Sequence, residues 1–378
     1  MERDSLERLR EHFERLQDPR VARSRRHELL DIVVIALCGV ICGADSWVEI
    51  AEFGLAKLEW FQQFLHLPNG IPSHDTFGRV FARLNPEQLQ GCLLAWASAL
   101  REASGGKLVA LDGKTLRRSH DEASGKSALH LVSAWSTENH LVLGQQKVAG
   151  HSNEITALPK LLGMLALEGC TVTIDAMGTQ KEIAGKVKEQ GADYVLALKG
   201  NQRRLYEEVQ ESFTLAEREG FQSIGHDRHE TLNGGHGRIE RRRYWTIWDP
   251  EHIAYLDPGR EWAGLRSIGM VEAERRVGEK VSRERRYYLS SLAGAARPFA
   301  EAVRGHWGIE NGLHWVLDVA FREDESRVRI GSAPENLALL RRMALTLLRE
   351  EKTARVGVKA KRLKSGWSED YLLRVLIS

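Results

Sequence analysis

Residues 107–118 read KLVALDGKTLRR, and the fold turns on them. Lys107 to Leu111 has the short, apolar, Val-containing run of a buried strand. Asp112 is expected where that strand runs out into Gly113. A carboxylate at a strand end suits a hard divalent cation. Lys114, Arg117 and Arg118 follow at once, and such bases suit an anionic polymer. Just upstream, Ser104-Gly105-Gly106 separates two kinds of periodicity: helical before it and strand-like after it.

Beyond that boundary the segments alternate. LHLVSAWST (129–137) and HLVLGQQKVA (140–149) predict a hairpin turning near Glu138-Asn139. Asn153 is a plausible cap for a helix to about Leu167. CTVTIDAMG (170–178) is a fourth strand, 180–190 a helix, ADYVLALKGNQ (192–202) a fifth strand, and 203–218 a helix. The order β-β-β-α-β-α-β-α implies an α/β fold with a mixed sheet flanked by helices. From 219 to 292, RRRYWTIW, LRSIGMVEAERRV and VSRERRYYLSSL suggest a small β-rich insertion. A helix over 298–319 then carries Trp307, Glu310, His314 and Trp315. Another runs from Pro334 through Arg349, followed by a basic tail. The expected division is 1–104 helical, 105–218 first part of the core, 219–292 insertion, 293–349 helical completion, and 350–378 tail.

The helical 1–104 region shows Leu6, Leu9, Phe13 and Leu16 at helical spacing, ended by Asp18-Pro19. Ser46-Trp-Val-Glu49 is a capping-box pattern. Ser73 caps an amphipathic segment, 74–84, with Arg79 and Arg83 outward, and Asn85-Pro86 opens a further helix. Short helices and tight turns fit either a helix-turn-helix DNA reader or a helical association module.

Charge narrows the partners. The net charge is only +2, with 28% charged and 42% hydrophobic residues, as in ordinary soluble domains. Yet bases cluster at 20–26, in RIERRR (238–243) and over 352–364, which suggests local anion-binding patches. The four cysteines have no metal or disulfide spacing and read as small buried residues in a reducing compartment. The opening MERDSLERLREHF is charged, unlike a secretory leader. The longest apolar run, Ile32 to Cys42, is too short to span a bilayer. A cytoplasmic protein with no membrane partner is expected.

Asp175 follows the apolar run 171–174 and precedes Ala-Met-Gly, repeating the strand-exit pattern of Asp112. Glu310 stands on the later helix. Two aspartates on neighbouring strands plus a glutamate form a ligand set for Mg²⁺, with Mn²⁺ as a substitute. Such ions activate a water or 3′-hydroxyl in phosphodiester chemistry. Lys199, Asn201 and Gln202 end the fifth strand at the same sheet edge and are expected to contact DNA backbone. Asp318 shares a helix face with Glu310, whereas Glu323, Asp324 and Glu325 read as a solvated charge run. Trp307 reads as a core residue or a base-stacking one. Zinc at His226, His229 and His236 is disfavoured because no cysteine or helical spacing supports it.

These motifs resemble the DDE transposases of bacterial insertion sequences, in the branch that includes the H-repeat-associated proteins. The resemblance rests on DPRVARSRRHELLDIVVIALCGVICGADSW, LDGKTLRRS, VTIDAMGTQ, LKGNQ, HWGIENGLHWVLDVAF and ENLALLRRMAL, so it spans nearly the whole chain. It implies a ribonuclease H-like core interrupted by a β-rich insertion, with Asp112, Asp175 and Glu310 as the catalytic, metal-holding acids. It also implies cleavage at element ends and strand transfer into target DNA, with inverted-repeat ends and target as duplex partners and a homodimer forming on DNA. One departure stands out. The Tyr, Arg and Lys that related transposases place around the glutamate are Val303, His306 and Leu317 here. Arg304, His306, Asn311 and His314 are the polar substitutes available for phosphate contacts. A catalytically inactive DNA-binding relic and a stand-alone nuclease remain as alternatives.

Overall fold

The structure is a computed structural model, described for residues 11–377 apart from 14, 93–94, 96–106, 121–126, 150–151 and 236–237. Leu6, Leu9, the far end of the helix starting at Pro86, the Ser104–Gly106 boundary and His236 lie outside the described residues.

Nine strands form one sheet: β1 (Leu108–Leu116), β2 (Leu129–Ser136), β3 (Leu141–Lys147), β4 (Thr171–Ile174), β5 (Asp193–Leu198), β6 (His226–Gly235), β7 (Arg238–Ile247), β8 (Ser267–Val277) and β9 (Lys280–Ser290). Their order is β3-β2-β1-β4-β5-β9-β8-β7-β6. The chain β1-β4-β5 is parallel, and every other pairing is antiparallel. The expected mixed sheet and its hairpin are therefore present.

Four expectations change. First, β1 does not end at Asp112. It stays paired with β2 as far as Leu116, with Asp112 opposite Ser133, but its pairing with β4 stops at Leu111. Asp112 thus sits where β1 and β4 part, a fork that only the pairing reveals. Second, the 219–292 segment is no separate β module. β9 pairs with β5, so its four strands continue the same sheet. The missed strand, β6, is exposed along most of its length and has no apolar alternation to betray it.

Third, the helix expected over 298–319 is interrupted. The helices are α1 (Leu29–Cys42), α2 (Trp47–Ala56), α3 (Leu58–Phe61), α4 (His74–Arg83), α5 (Glu154–Gly163), α6 (Lys181–Glu189), α7 (Arg203–Arg218), α8 (Pro250–Leu256), α9 (Ala296–Ile309), α10 (Trp315–Phe321), α11 (Ala333–Glu350), α12 (Val358–Trp367) and α13 (Glu369–Ile377). A π turn, Glu310–His314, joins α9 to α10. Fourth, 350–378 is not a free basic tail but the two helices α12 and α13. Buried Lys361 donates to the Leu348 carbonyl, and Arg362 donates to the Val40 carbonyl at 2.7 Å. These bases close helix ends rather than meet an outside anion.

The core divides by sheet face, as strand alternation requires. Val109 and Leu111 point to the side covered by α5, α6 and α7. Ala110 and Trp135 point to the other, where α1 packs with α11 and α13. The helix α1 is buried nearly all round, so its apolar run is a core element. No single helix among the described residues is long and apolar enough to cross a membrane. Asn336 on α11 donates from one amide to the carbonyls of Phe81 and Leu84, capping α4. The two ends of the chain therefore share one helical layer beneath the sheet.

The basic clusters are largely neutralised in space. In RIERRR, Arg241 reaches Glu230 at 2.6 Å, Arg242 reaches Glu240 at 2.6 Å and Arg243 reaches Glu272 at 2.7 Å. Arg20 meets Asp18 at 2.8 Å.

Candidate active site

The helix bearing Glu310 reaches the sheet because its inner face is glycine. A Cβ on Gly305 would lie 2.0 Å from Leu108 Cδ2, and one on Gly312 would lie 3.0 Å from Trp135 Cζ2. Thr137 Oγ1 donates to the Gly305 carbonyl at 3.1 Å, fixing the approach. Trp135 is fully buried and carries Arg349 over its ring at 4.7 Å, so it cannot yield. Gly312→Val is expected to cost ~1–3 kcal/mol by overpacking. Moving Glu310 by even an ångström should also slow metal-dependent cleavage about 10²-fold. Thermal melts and a cleavage assay on the folded variant check both.

The π turn then places Glu310 beside buried His314; such turns recur at functional sites. His314 is buried, with Nδ1 3.3 Å from Glu310 Oε2 and 3.5 Å from Asp112 Oδ2. Its Nε2 has no hydrogen-bond partner among the described residues. One ligand atom each from Asp112, Glu310 and His314 lies within 4.8 Å of the others. Two carboxylates and an imbalance of buried polar atoms fit a divalent cation.

Asp175 lines the same groove, about 520 Å³, with Asp112, Lys199, Arg286, Trp307 and Glu310. Its Oδ1 accepts the backbone N–H of Met177 at 3.1 Å and of Gly178 at 3.3 Å, which locks the turn after β4. Asn201 donates to the Ala176 carbonyl and Gln202 to the Thr179 carbonyl, so LKGNQ clasps that turn. Asn201 acts here as a brace, while Lys199 stands exposed at the groove's mouth.

Burial dominates the electrostatics of the two aspartates. Burial pushes Asp112 up to about 6, partly opposed by His314 and reinforced by Asp175. Burial also raises Asp175, with Glu154 adding to the rise. Glu310 is held below the usual range by its hydrogen bond to His314. For a raised acid, stability is fully present below the unfolded pKa and is lost as pH climbs through the folded one. The rise from 3.8 to about 6 corresponds to ~3 kcal/mol at most. Asp112→Asn should therefore stabilise the metal-free protein at pH 8 and change little at pH 4. Denaturant melts in chelator at the two pH values test this.

Other expected contacts resolve differently. Lys114 is buried, bonded to Asp318 and 3.3 Å from Glu323, so it is an internal counter-charge and not a DNA contact. That pairing occupies Asp318 as well. His306 is pushed down to about 4 by burial and sits 3.0 Å from Thr173 Oγ1, neutral near pH 7 and unsuited to hold a phosphate by charge. His314 lies between two acids instead of facing outward. Val303 and Leu317 are core residues. Arg304, Asn311, Arg117 and Arg118 are exposed, with Arg117 3.5 Å from Asp324. Trp307 is 45% exposed with Arg286 stacked 5.0 Å above it, a surface role rather than core packing. Glu323 is buried, contrary to the solvated reading. His226 turns its Nδ1 to the Ile224 carbonyl, and His229 lies by Tyr244. Sequence reading missed Arg286; nothing in local pattern marks it, since it reaches the groove only because β9 pairs with β5.

A mixed sheet whose one end has the order 3-2-1-4-5, carrying acids at the parting of its parallel strands, defines a ribonuclease H-like protein with an acidic metal-type site. The Transposase DDE domain family matches residues 103–347, and the DDE_Tnp_1-associated family matches 10–97. The chain belongs to the DDE transposases. It is 41% identical to "Putative transposase YncI" of Escherichia coli O157:H7, over 99% of this chain and 95% of that one. It is 38% identical to "H repeat-associated putative transposase YhhI" of Escherichia coli K12, over 98% of each. Among solved structures, a piggyBac transposase synaptic complex with hairpin DNA superposes with a TM-score of 0.40 and 11% identity, covering 96% of this chain and 76% of that one.

Proposed function

We propose that this chain cuts DNA at the ends of its element and joins the freed ends to target DNA. The convergence of Asp112, Glu310 and His314, with Asp175 across the same groove, carries this reading. Mg²⁺ bound there, or Mn²⁺ in its place, would polarise phosphodiester oxygens and ease deprotonation of water or a 3′-hydroxyl. Asp112, Asp175 and Glu310 supply the carboxylates that hold it. The remaining residues handle the polyanion. Exposed Lys199 at the mouth, with Arg286 over Trp307, draws the backbone in, and Trp307 offers a face to an unstacked base. Arg304, Asn311, Arg117 and Arg118 extend the basic and polar rim. The N-terminal helices, with Arg79 and Arg83 outward, grip the inverted repeats, and two copies pair the two ends.

The test is a labelled duplex carrying the inverted repeat that flanks the gene, incubated with protein, Mg²⁺ and a target plasmid. The expected products are a 3′-hydroxyl nick at the repeat end and its joined product in the plasmid. Binding without cleavage in Mg²⁺ and Mn²⁺ would overturn the reading in favour of a relic. Cleavage that never yields joining would leave a nuclease.

A further inference from the structure

A second cavity, about 560 Å³, opens at the other end of the sheet. β5 runs parallel to β4 and β1, so its last residue, Leu198, marks the end that carries the acids. Leu198 stands opposite Tyr287 of β9, next to Arg286 of the groove. Nearer the start of β5, Val195 stands opposite Ser290, the last residue of β9. The Ser291 N–H then donates to the Tyr194 carbonyl at 3.1 Å. The cavity lies at this end, among the finish of β7, α8, the loop after α8 and the approach to β8. It shares no lining residue with the acidic groove.

Its wall is aromatic and aliphatic, with Trp248, Trp262, Ile253 and Leu265 among the lining residues. Trp248 is set in place by two glycines. A Cβ on Gly294 would lie 2.3 Å from its ring, and one on Gly225 would lie 3.3 Å away. Gly294 has a φ of 90°, and its carbonyl accepts from Thr246 Oγ1. The indole is thus fixed yet remains 43% exposed, which makes it a platform for a flat π-system.

The uncompensated charge in this wall is positive. Asp257 turns both oxygens to backbone, accepting the Glu261 N–H at 2.9 Å and the Trp262 N–H at 3.0 Å. Arg260 and Arg266 are exposed, and neither forms an ion pair among the described residues. Asp193, the acid near Arg266, already takes Lys188 at 2.8 Å and Ser291 at 2.7 Å. Arg260 has a φ of 49°, in the left-handed region that a side chain disfavours. Strain of this kind gathers at ligand clamps. Pockets of ~300–1,000 Å³ hold small molecules. An indole platform beside two guanidinium groups fits a ligand with both a flat ring and an anion, and a nucleotide has that chemistry.

We propose that this cavity is a nucleotide-binding site apart from the acidic groove, in which Trp248 stacks on a nucleobase and Arg260 and Arg266 hold its phosphate. An unpaired residue of a DNA strand and a free mononucleotide share this chemistry. Neither needs the acids or a metal, so the site stands or falls independently of DNA cleavage.

The experiment is hydrogen–deuterium exchange of the full chain in chelator, with inorganic phosphate, deoxyadenosine monophosphate or a short single-stranded oligonucleotide. Exchange over 248–266 should slow with a nucleotide probe and not with phosphate. Slowing by the mononucleotide identifies a free nucleotide as the ligand, and slowing by the oligonucleotide alone identifies a strand. Affinity is read from the concentration that half-slows this segment, so binding in the groove does not enter. Arg260→Gly removes a phosphate contact while relieving the left-handed backbone. Its melting temperature should hold or rise, and its affinity should fall about 10-fold. Trp248→Leu keeps apolar packing against the two glycines and should weaken binding about 10–100-fold. No slowing over 248–266 with either nucleotide probe would overturn the proposal. So would equal slowing by phosphate, or wild-type affinity in either variant.

Discussion

Glu310→Gln is expected to lower metal-dependent cleavage by about 10³-fold or more, while binding of the element's end stays near wild type. Glu310 is more than half exposed, and its carboxylate meets His314 on the next helical turn. Gln has the same shape and can still accept from His314, so α9 and the π turn should stay in place. What disappears is the negative charge that, on the proposed function, would hold a divalent cation worth several kcal/mol of transition-state stabilisation. A gel shift and a single-turnover cleavage assay on the same duplex read the two properties separately. Equal cleavage by both proteins would mean that another acid serves. Asp318 would be the nearest on the helix, but its pairing with Lys114 makes it a poor third ligand.

The largest stability effect is expected at Glu323. It is fully buried, 2.9 Å from Arg342 Nη1 and 3.3 Å from Lys114 Nζ, with buried Arg341 close enough to act on it. Burial alone would raise its pKa. The Arg342, Lys114 and Arg341 charges outweigh that and hold it well below the ordinary range. Glu323→Gln leaves these cations uncompensated in the interior. It should cost ~3–5 kcal/mol, measured as a shift in the denaturant midpoint at pH 7. The sign with pH follows. A depressed acid contributes its stability above the unfolded pKa and loses it as pH falls through the folded one. The gap between wild type and variant should therefore narrow below the usual glutamate range. Because Lys114 follows Asp112 on β1 and also bonds to Asp318 on α10, the same network ties the two elements that carry the first and third acids.

How much was legible beforehand depends on where the cause of each feature lies. The strands and helices from 129 to 218 were readable because their periodicity is local: one face buried, one face wet, and caps at the ends. β6 was not. It is exposed on both faces, and only pairing with β7 makes it a strand. RIERRR read as an anion patch because two of its glutamate partners, Glu230 and Glu272, stand on neighbouring strands. The bases of 352–364 read as a tail because their acceptors, the carbonyls of Val40 and Leu348, are contributed by other helices.

The sequence by itself located the three acidic positions, the helical stretch that carries the last of them, and the class of sheet that holds the first two. These reside in short motifs whose chemistry is written in residue type and spacing. Only the tertiary structure decided that Asp112 lies at a fork between strands, that Lys114 and Glu323 are internal, and that His314 lies between Asp112 and Glu310. Burial and charge pairing depend on what another segment brings within a few ångströms, and a buried ion gains or loses according to that neighbour. No periodicity along the chain encodes such a meeting.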